Sequence, residues 1–281
     1  MARTSAGTGP SRSFVDPIGV LRLQRSVAAD AVLFRARRTT SRTATGVSES
    51  SVWGLNLGTY GVVMLVAIDT ATEYASFAIH DGSRLLVEET WKTPRRHTAE
   101  LLPRLAVALG QVDGGAARLS GVAVTKGPGS FTGLRVGMAI AKGLALARGI
   151  PIVGLPTLDV VVAAQRADSR PLWAVLQAGR KRICAAAYCW QDGEWREETP
   201  PHLTTWPKVI QEISSPTLFC GEIDPEGLQI LTALAPLVTV VPAAFRVRRA
   251  GFLAELGWQR LYRGEQDDLS RLAPIYLQHP V

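Results

Sequence analysis

Thr125-Lys126-Gly127-Pro128-Gly129-Ser130-Phe131-Thr132-Gly133-Leu134-Arg135-Val136-Gly137-Met138-Ala139 joins two kinds of pattern. Before its turn, the apolar run Gly121-Val122-Ala123-Val124 has the character of a buried strand; Gly127-Pro128-Gly129 interrupts any regular element, and a helical pattern then runs to Ala147. The stretch predicts a strand, a tight turn and a helix.

The helix carries small residues at regular spacing: Gly133, Gly137, Ala141 and Ala145 recur every fourth position on one face, with Ala139, Gly143 and Ala147 beside them. Each interior Gly costs about 1 kcal/mol relative to Ala, so close approach of another backbone is the expected reason. That backbone belongs either to the same domain or to a partner subunit meeting Gly133, Gly137, Ala141 and Ala145. The turn fits neither common phosphate motif. Five residues separate Gly127 from Gly133, Leu134 and Arg135 follow where a P-loop needs Lys and Ser or Thr, and the dinucleotide spacing is also missed. Backbone N–H groups at the helix start, around Gly127, Gly129 and Ser130, can still hold an anion.

Outward from this stretch, strands are predicted at 64–69, 74–80, 84–91, 121–125 and 151–154, with helices at 97–110, 131–148 and 157–167. The second half repeats the order: strands at 171–177, 182–190, 194–199, 216–220 and 237–241, and helices at 206–213, 225–235 and 246–263. Two βββαβα units in tandem predict an α/β fold of mixed sheets in two lobes, 64–167 and 168–281.

Residues 1–63 differ from the rest. They hold eight Arg, no Lys and three acidic residues, so a formal +5 of the chain's +7 lies there and only +2 on the remainder. A transit peptide, a nucleic-acid-binding arm and translated sequence upstream of a start at Met64 all fit. The strand-like Met64-Leu65-Val66-Ala67-Ile68 favours the last, and the extension is expected to be disordered or mis-assigned.

No apolar run approaches the roughly 20 residues needed to cross a bilayer, and no secretory signal is present. A soluble, cytoplasmic chain without membrane partners is expected. Cys184, Cys189 and Cys220 form no Cys-x-x-Cys pair, which argues against a disulfide framework or a zinc knuckle and fits a reducing compartment.

Four spaced motifs carry a family resemblance: Ala67-Ile68-Asp69-Thr70-Ala71-Thr72, Arg96-His97-Thr98 before Leu101-Leu102-Pro103, Gly127-Pro128-Gly129-Ser130-Phe131-Thr132-Gly133-Leu134-Arg135, and Gly154-Leu155-Pro156-Thr157-Leu158. Together with the closing Asp268-Leu269-Ser270-Arg271-Leu272-Ala273-Pro274-Ile275-Tyr276-Leu277, they resemble the TsaB family of bacterial tRNA-modification subunits. The resemblance covers the chain from Met64 onward and implies a two-lobed actin-like, ribonuclease-H-like fold. It implies a non-catalytic subunit supporting TsaD while threonylcarbamoyl is transferred to adenosine N6 of tRNAs that read codons beginning with A. TsaD and TsaE are the implied partners, with a homodimer as an alternative pairing and tRNA reached only through the complex. No cofactor of the chain's own is implied, although ATP or ADP fits the complex.

In that superfamily the turn after the first strand faces phosphate and metal, which makes Asp69, Thr70 and Thr72 cofactor-binding candidates with Gly127, Gly129 and Ser130. Asp69 as a simple Asx-turn residue is the competing reading. The catalytic relative carries two His four apart on the helix after the Gly154-Leu155 equivalent, where this chain has Thr157 and Val161; no metal centre is expected. His80, His97, His202 and His279 are scattered, and no nucleophile–base spacing emerges. Arg246, Arg248, Arg249, Arg260 and Arg263, with Arg180, Lys181 and Arg182, offer phosphate contacts or a solvated face, the latter being commoner. A stand-alone ATP-dependent phosphotransferase or glycoprotease-type metallopeptidase is the competing functional class.

A chain beginning at Met64 is expected to keep the melting temperature and partner binding of the full chain, because no apolar periodicity precedes Val62. A large loss of stability on truncation would show that the extension packs.

Overall fold

The computed structural model describes residues 64–93 and 96–277, so the extension and His279 lie outside the described residues. The first sheet runs β3-β2-β1-β4-β5, with β1 Met64–Asp69, β2 Tyr74–His80, β3 Leu85–Lys92, β4 Leu119–Gly127 and β5 Ile152–Pro156. The second contains β6 Leu172–Gln177, β7 Ile183–Gln191, β8 Glu194–Thr204, β9 Thr217–Gly221 and β10 Val238–Val240, in the order β10-β9-β6-β7-β8. Read from opposite ends, the two orders are the same. The pairing senses also match: β1 is antiparallel to β2 and parallel to β4, as β6 is to β7 and β9.

Alternation along each strand feeds two cores. Met64, Val66 and Ile68 face α1 His97–Gln111 and α2 Phe131–Arg148, whereas Leu65 and Ala67 face the other way, toward α6 Ala250–Tyr262. In the second sheet Trp173 and Val175 pack toward α4 Trp206–Gln211 and α5 Pro225–Ala233. Leu172, Ala174 and Leu176 meet α3 Thr157–Ala163. Helix α3 is apolar nearly all round because Val160 joins the first sheet's core while Leu158, Val161 and Val162 join the second's.

Three expectations change. Helix α6 starts at Ala250, not 246, and it packs on the first sheet through Leu253, Ala254 and Gly257, where a Cβ on Gly257 would overlap that of Ala123. The closing segment follows it there: Asp267 N–H donates to Ile152 O at 2.9 Å and Ile275 N–H to Lys126 O at 2.6 Å. Residues 250–277 therefore complete the first lobe, and assigning all of 168–281 to the second is corrected. Strand β8 runs through Pro200-Pro201 to Thr204, beyond the expected 199, which a sheet edge permits because Pro need not donate to a ladder there.

The interface expectation for Gly133, Gly137, Ala141 and Ala145 is also corrected: all four are buried within the lobe. A Cβ on Gly133 would overlap the Thr70 carbonyl oxygen and one on Gly137 the Thr70 hydroxyl, while Ala141 and Ala145 lie in the first core. The close approach that the small residues permit is that of α2 to the end of β1.

Gly133→Ala is expected to lower unfolding stability by about 1–3 kcal/mol, because the atom it meets belongs to backbone and cannot swing away. Gly143→Ala, with no heavy atom of the described residues near its Cβ, should raise stability by about 1 kcal/mol. Denaturant unfolding of the two variants checks the opposite signs.

Candidate functional site

Strands β1 and β9 end at the same place, between the two sheets. Asp69 closes β1 and is 1% exposed; Glu222 follows β9. Between them lies Arg248, two residues before α6, with its side chain 2% exposed. Its Nε donates to Asp69 Oδ2 at 2.7 Å, one terminal nitrogen to Glu222 Oε1 at 2.8 Å, and the other to Thr72 Oγ1 at 2.8 Å. Thr72 Oγ1 in turn donates to Glu222 Oε1 at 2.5 Å. Burial pulls the Arg248 pKa down, but the Asp69 and Glu222 carboxylates outweigh it and hold the guanidinium charged.

The remaining Asp69 acceptor is also occupied. Oδ1 takes Ala71 N–H at 2.8 Å, the Asx-turn contact, and Thr125 Oγ1–H at 3.1 Å. Thr70 Oγ1 donates to Gly133 O at 2.7 Å. Asp69 and Thr70, expected to face phosphate, are instead turned into protein.

The other candidates lie on the α2 side. Ser130 caps α2, accepting Gly133 N–H at 3.2 Å, and its own N–H donates to Ala71 O at 2.6 Å. Gly129 packs on Ala71 O, and Gly127 lies under Ile275 O, so the closing segment covers the Gly-Pro-Gly turn. Tyr276 extends that cover, stacking near Phe131 at 5.0 Å and accepting from Arg135 Nε at 3.0 Å. Of the six expected cofactor residues, Thr72 and Ser130 line an open groove, together with His97, Thr98, Thr132 and Val136. His97 has a structural duty there: its Nε2 donates to Thr72 O at 2.8 Å.

Thr157 and Val161 are the positions where the family resemblance leads us to expect no imidazole pair. Both are buried, and the Thr157 hydroxyl has no hydrogen-bond partner among the described residues. Asp159 accepts from Tyr188 Oη at 3.0 Å, and burial raises its carboxyl. Among the described residues no three His, Cys, Asp or Glu converge on a metal position. His80 is tied to α6 through Glu255 at 3.0 Å.

Sequence reasoning missed Glu222 and placed Arg248 on a solvated helix. Its neighbours explain the error: Arg249 does pair on the surface, with Glu88, and Arg260 pairs with Glu265 and Asp267. Arg248 sits in a run of cations with nothing local to mark it as the inward one.

Two mixed five-stranded sheets of like order, with helices between and outside them, define a protein of the actin-like, ribonuclease-H-like class. Two Pseudomonas aeruginosa structures share the fold: a protein described as similar to peptidase YeaZ, at TM-score 0.64 and 23% identity, and YeaZ, at 0.61 and 22%. They are matched over 77% and 76% of this chain respectively and 100% of each structure. In sequence, residues 91–211 match the family model described as TsaD, tRNA N6-adenosine threonylcarbamoyltransferase. The tRNA threonylcarbamoyladenosine biosynthesis protein TsaB of Bacillus subtilis is 27% identical over 76% of this chain and 93% of its own length. An uncharacterized Mycobacterium bovis protein is 31% identical over 77% and 92%, and the TsaB of Escherichia coli is 34% identical over 53% and 64%. The chain belongs to the TsaB family.

Arg248→Met is expected to cost about 3–5 kcal/mol, because it leaves two carboxylates facing one another without their cation. Adding Asp69→Asn and Glu222→Gln should recover much of the loss. Unfolding curves decide it; a cost below about 1 kcal/mol for Arg248→Met would remove Arg248 from its place as the bond between the sheets.

Proposed function

We propose that this chain is a non-catalytic subunit in tRNA threonylcarbamoyladenosine biosynthesis, supporting TsaD as it transfers threonylcarbamoyl to adenosine N6. The observation that carries the reading is Arg248. An internal guanidinium holds the Asp69 carboxylate that related folds turn toward phosphate and metal, and Thr157 and Val161 supply no imidazole. Any ATP or ADP in the reaction is then held by the complex, with TsaE as a further member, and tRNA is reached there. The cytoplasm is the proposed location; among the described residues no helix is long and apolar enough to cross a membrane.

The TsaD surface we assign is the outer side of α1 and α2, which pack side by side on the first sheet. Leu102 and Val107 on α1 and Leu146 on α2 are 47%, 63% and 73% exposed, apolar side chains left uncovered by the described residues. Gly143 is exposed on α2 with no heavy atom of the described residues near its Cβ, so nothing among them accounts for a mid-helix glycine. Close approach of a partner backbone does. The small-residue argument thus moves from the buried stripe to the exposed one.

Transfer to tRNA by TsaD and its remaining partners is expected to depend on adding this chain, while the purified chain alone should turn over neither nucleotide nor glycoprotein. Turnover by the isolated chain would favour the phosphotransferase or peptidase reading. Gly143→Leu should weaken TsaD association by about tenfold to a thousandfold without lowering unfolding stability. Sedimentation with TsaD checks this, and unchanged association together with a lost homodimer would assign the face to a second copy.

A further inference from the structure

Strands β6 and β7 are joined by a tight loop of unusual chemistry. Arg182 N–H donates to Gly179 O at 3.0 Å, closing a two-residue turn at Arg180-Lys181. Both residues are left-handed, with φ of 52° and 58°. Hairpins with this geometry favour Asn-Gly or Asp-Gly, because side chains other than Asn and Asp are strained there. The chain uses that solution at the next hairpin, where Asp192-Gly193 carries φ of 51° and 88° between β7 and β8. At β6–β7 it instead keeps two long cations in a conformation that disfavours them.

Among the described residues no side-chain contact of Arg180 or Lys181 compensates. Arg84, Arg96, Arg104, Arg118 and Arg170 each meet a carboxylate, whereas Arg180, Lys181 and Arg182 have no acidic partner among the described residues. The Arg182 Nε is buried without a hydrogen-bond partner among them. Arg180 and Lys181 are exposed. The base of the hairpin is nevertheless firmly placed: Gln177 donates its side-chain N–H to Glu222 O at 2.8 Å, tying the loop to the end of β9 beside Arg248.

We propose that Arg180 and Lys181, with Arg182 behind them, form a phosphate-contact site for the tRNA backbone, so that this subunit touches the nucleic acid once the complex has assembled. The proposal rests on the functional reading above. Strain held on a rigid base without a stability return points to a functional loop, and consecutive unpaired cations match the closely spaced charges of a polynucleotide.

The test replaces the pair by the residues the turn prefers, Arg180→Asn with Lys181→Gly, which removes both charges without straining the hairpin. A second variant, Arg180→Lys with Lys181→Arg, keeps the charge. With full-length chain assembled with TsaD and TsaE, the Asn-Gly variant should keep or raise the melting temperature and keep TsaD association. Its complex should bind tRNA about tenfold more weakly near 0.1 M salt, with a log–log salt slope shallower by about 1.5, as expected for two lost phosphate contacts. The charge-keeping variant should bind tRNA as the unmodified chain does. Unchanged affinity and slope for the Asn-Gly variant would overturn the proposal, as would lost TsaD association with tRNA affinity retained, which would assign the loop to a protein partner. If the unmodified chain supports no threonylcarbamoyl transfer, the functional reading fails and this proposal with it; transfer by the unmodified chain alongside an unaffected variant overturns the loop assignment alone.

Discussion

The Arg248 guanidinium links the ends of two strands from different sheets, and the rest of the molecule is arranged around that link. A buried cation persists only where its donors are used and its charge is answered; here three of its nitrogens meet Asp69, Glu222 and Thr72. Removing any one partner leaves a buried charge or hydroxyl unsatisfied. The contact therefore fixes the relation between β1 and β9 more sharply than apolar packing does, since side chains in a core can repack but a three-way ionic contact has one geometry.

That link is reinforced by the way the duplicated halves exchange helices. The last helix of the first unit, α3, packs on the second sheet, and the last helix of the second unit, α6, packs on the first. Each sheet thereby has one face covered by its own helices and the other by the shared middle layer. Small residues make that layer thin: Ala67, Ala78 and Ala123 line the first sheet where α6 crosses, and Gly257 has no room for a Cβ.

The element order and the two-sheet architecture were legible because period-2 and helical patterns are local and strong, and because turn residues such as Gly127-Pro128-Gly129 punctuate them. What faced each pattern was not legible. The four-residue spacing from Gly133 to Ala145 showed that something approaches α2 closely, yet spacing cannot distinguish the Thr70 backbone from a foreign one. Arg248 was hidden for the same reason: its partner Asp69 lies 179 positions away in sequence, and the charges beside it genuinely are on the surface. At the candidate site, the Asx turn of Asp69 was legible as one of two readings from residue type, whereas the capping role of Ser130 was not read from the sequence and Glu222 carried no local signal at all.

The return of residues 250–277 to the first lobe has a consequence for how the chain is made. Synthesis proceeds from the amino end, and all of β1 to β5 is complete long before α6 emerges. Until then Leu65, Ala67 and Val153 have no helix but α3, through Val160, on their face of the sheet, and the Gly-Pro-Gly turn lacks the cover of Ile275. The first lobe therefore reaches its final packing only once α6 and the segment that carries Asp267 and Ile275 have left the exit tunnel, after the whole second sheet has been made.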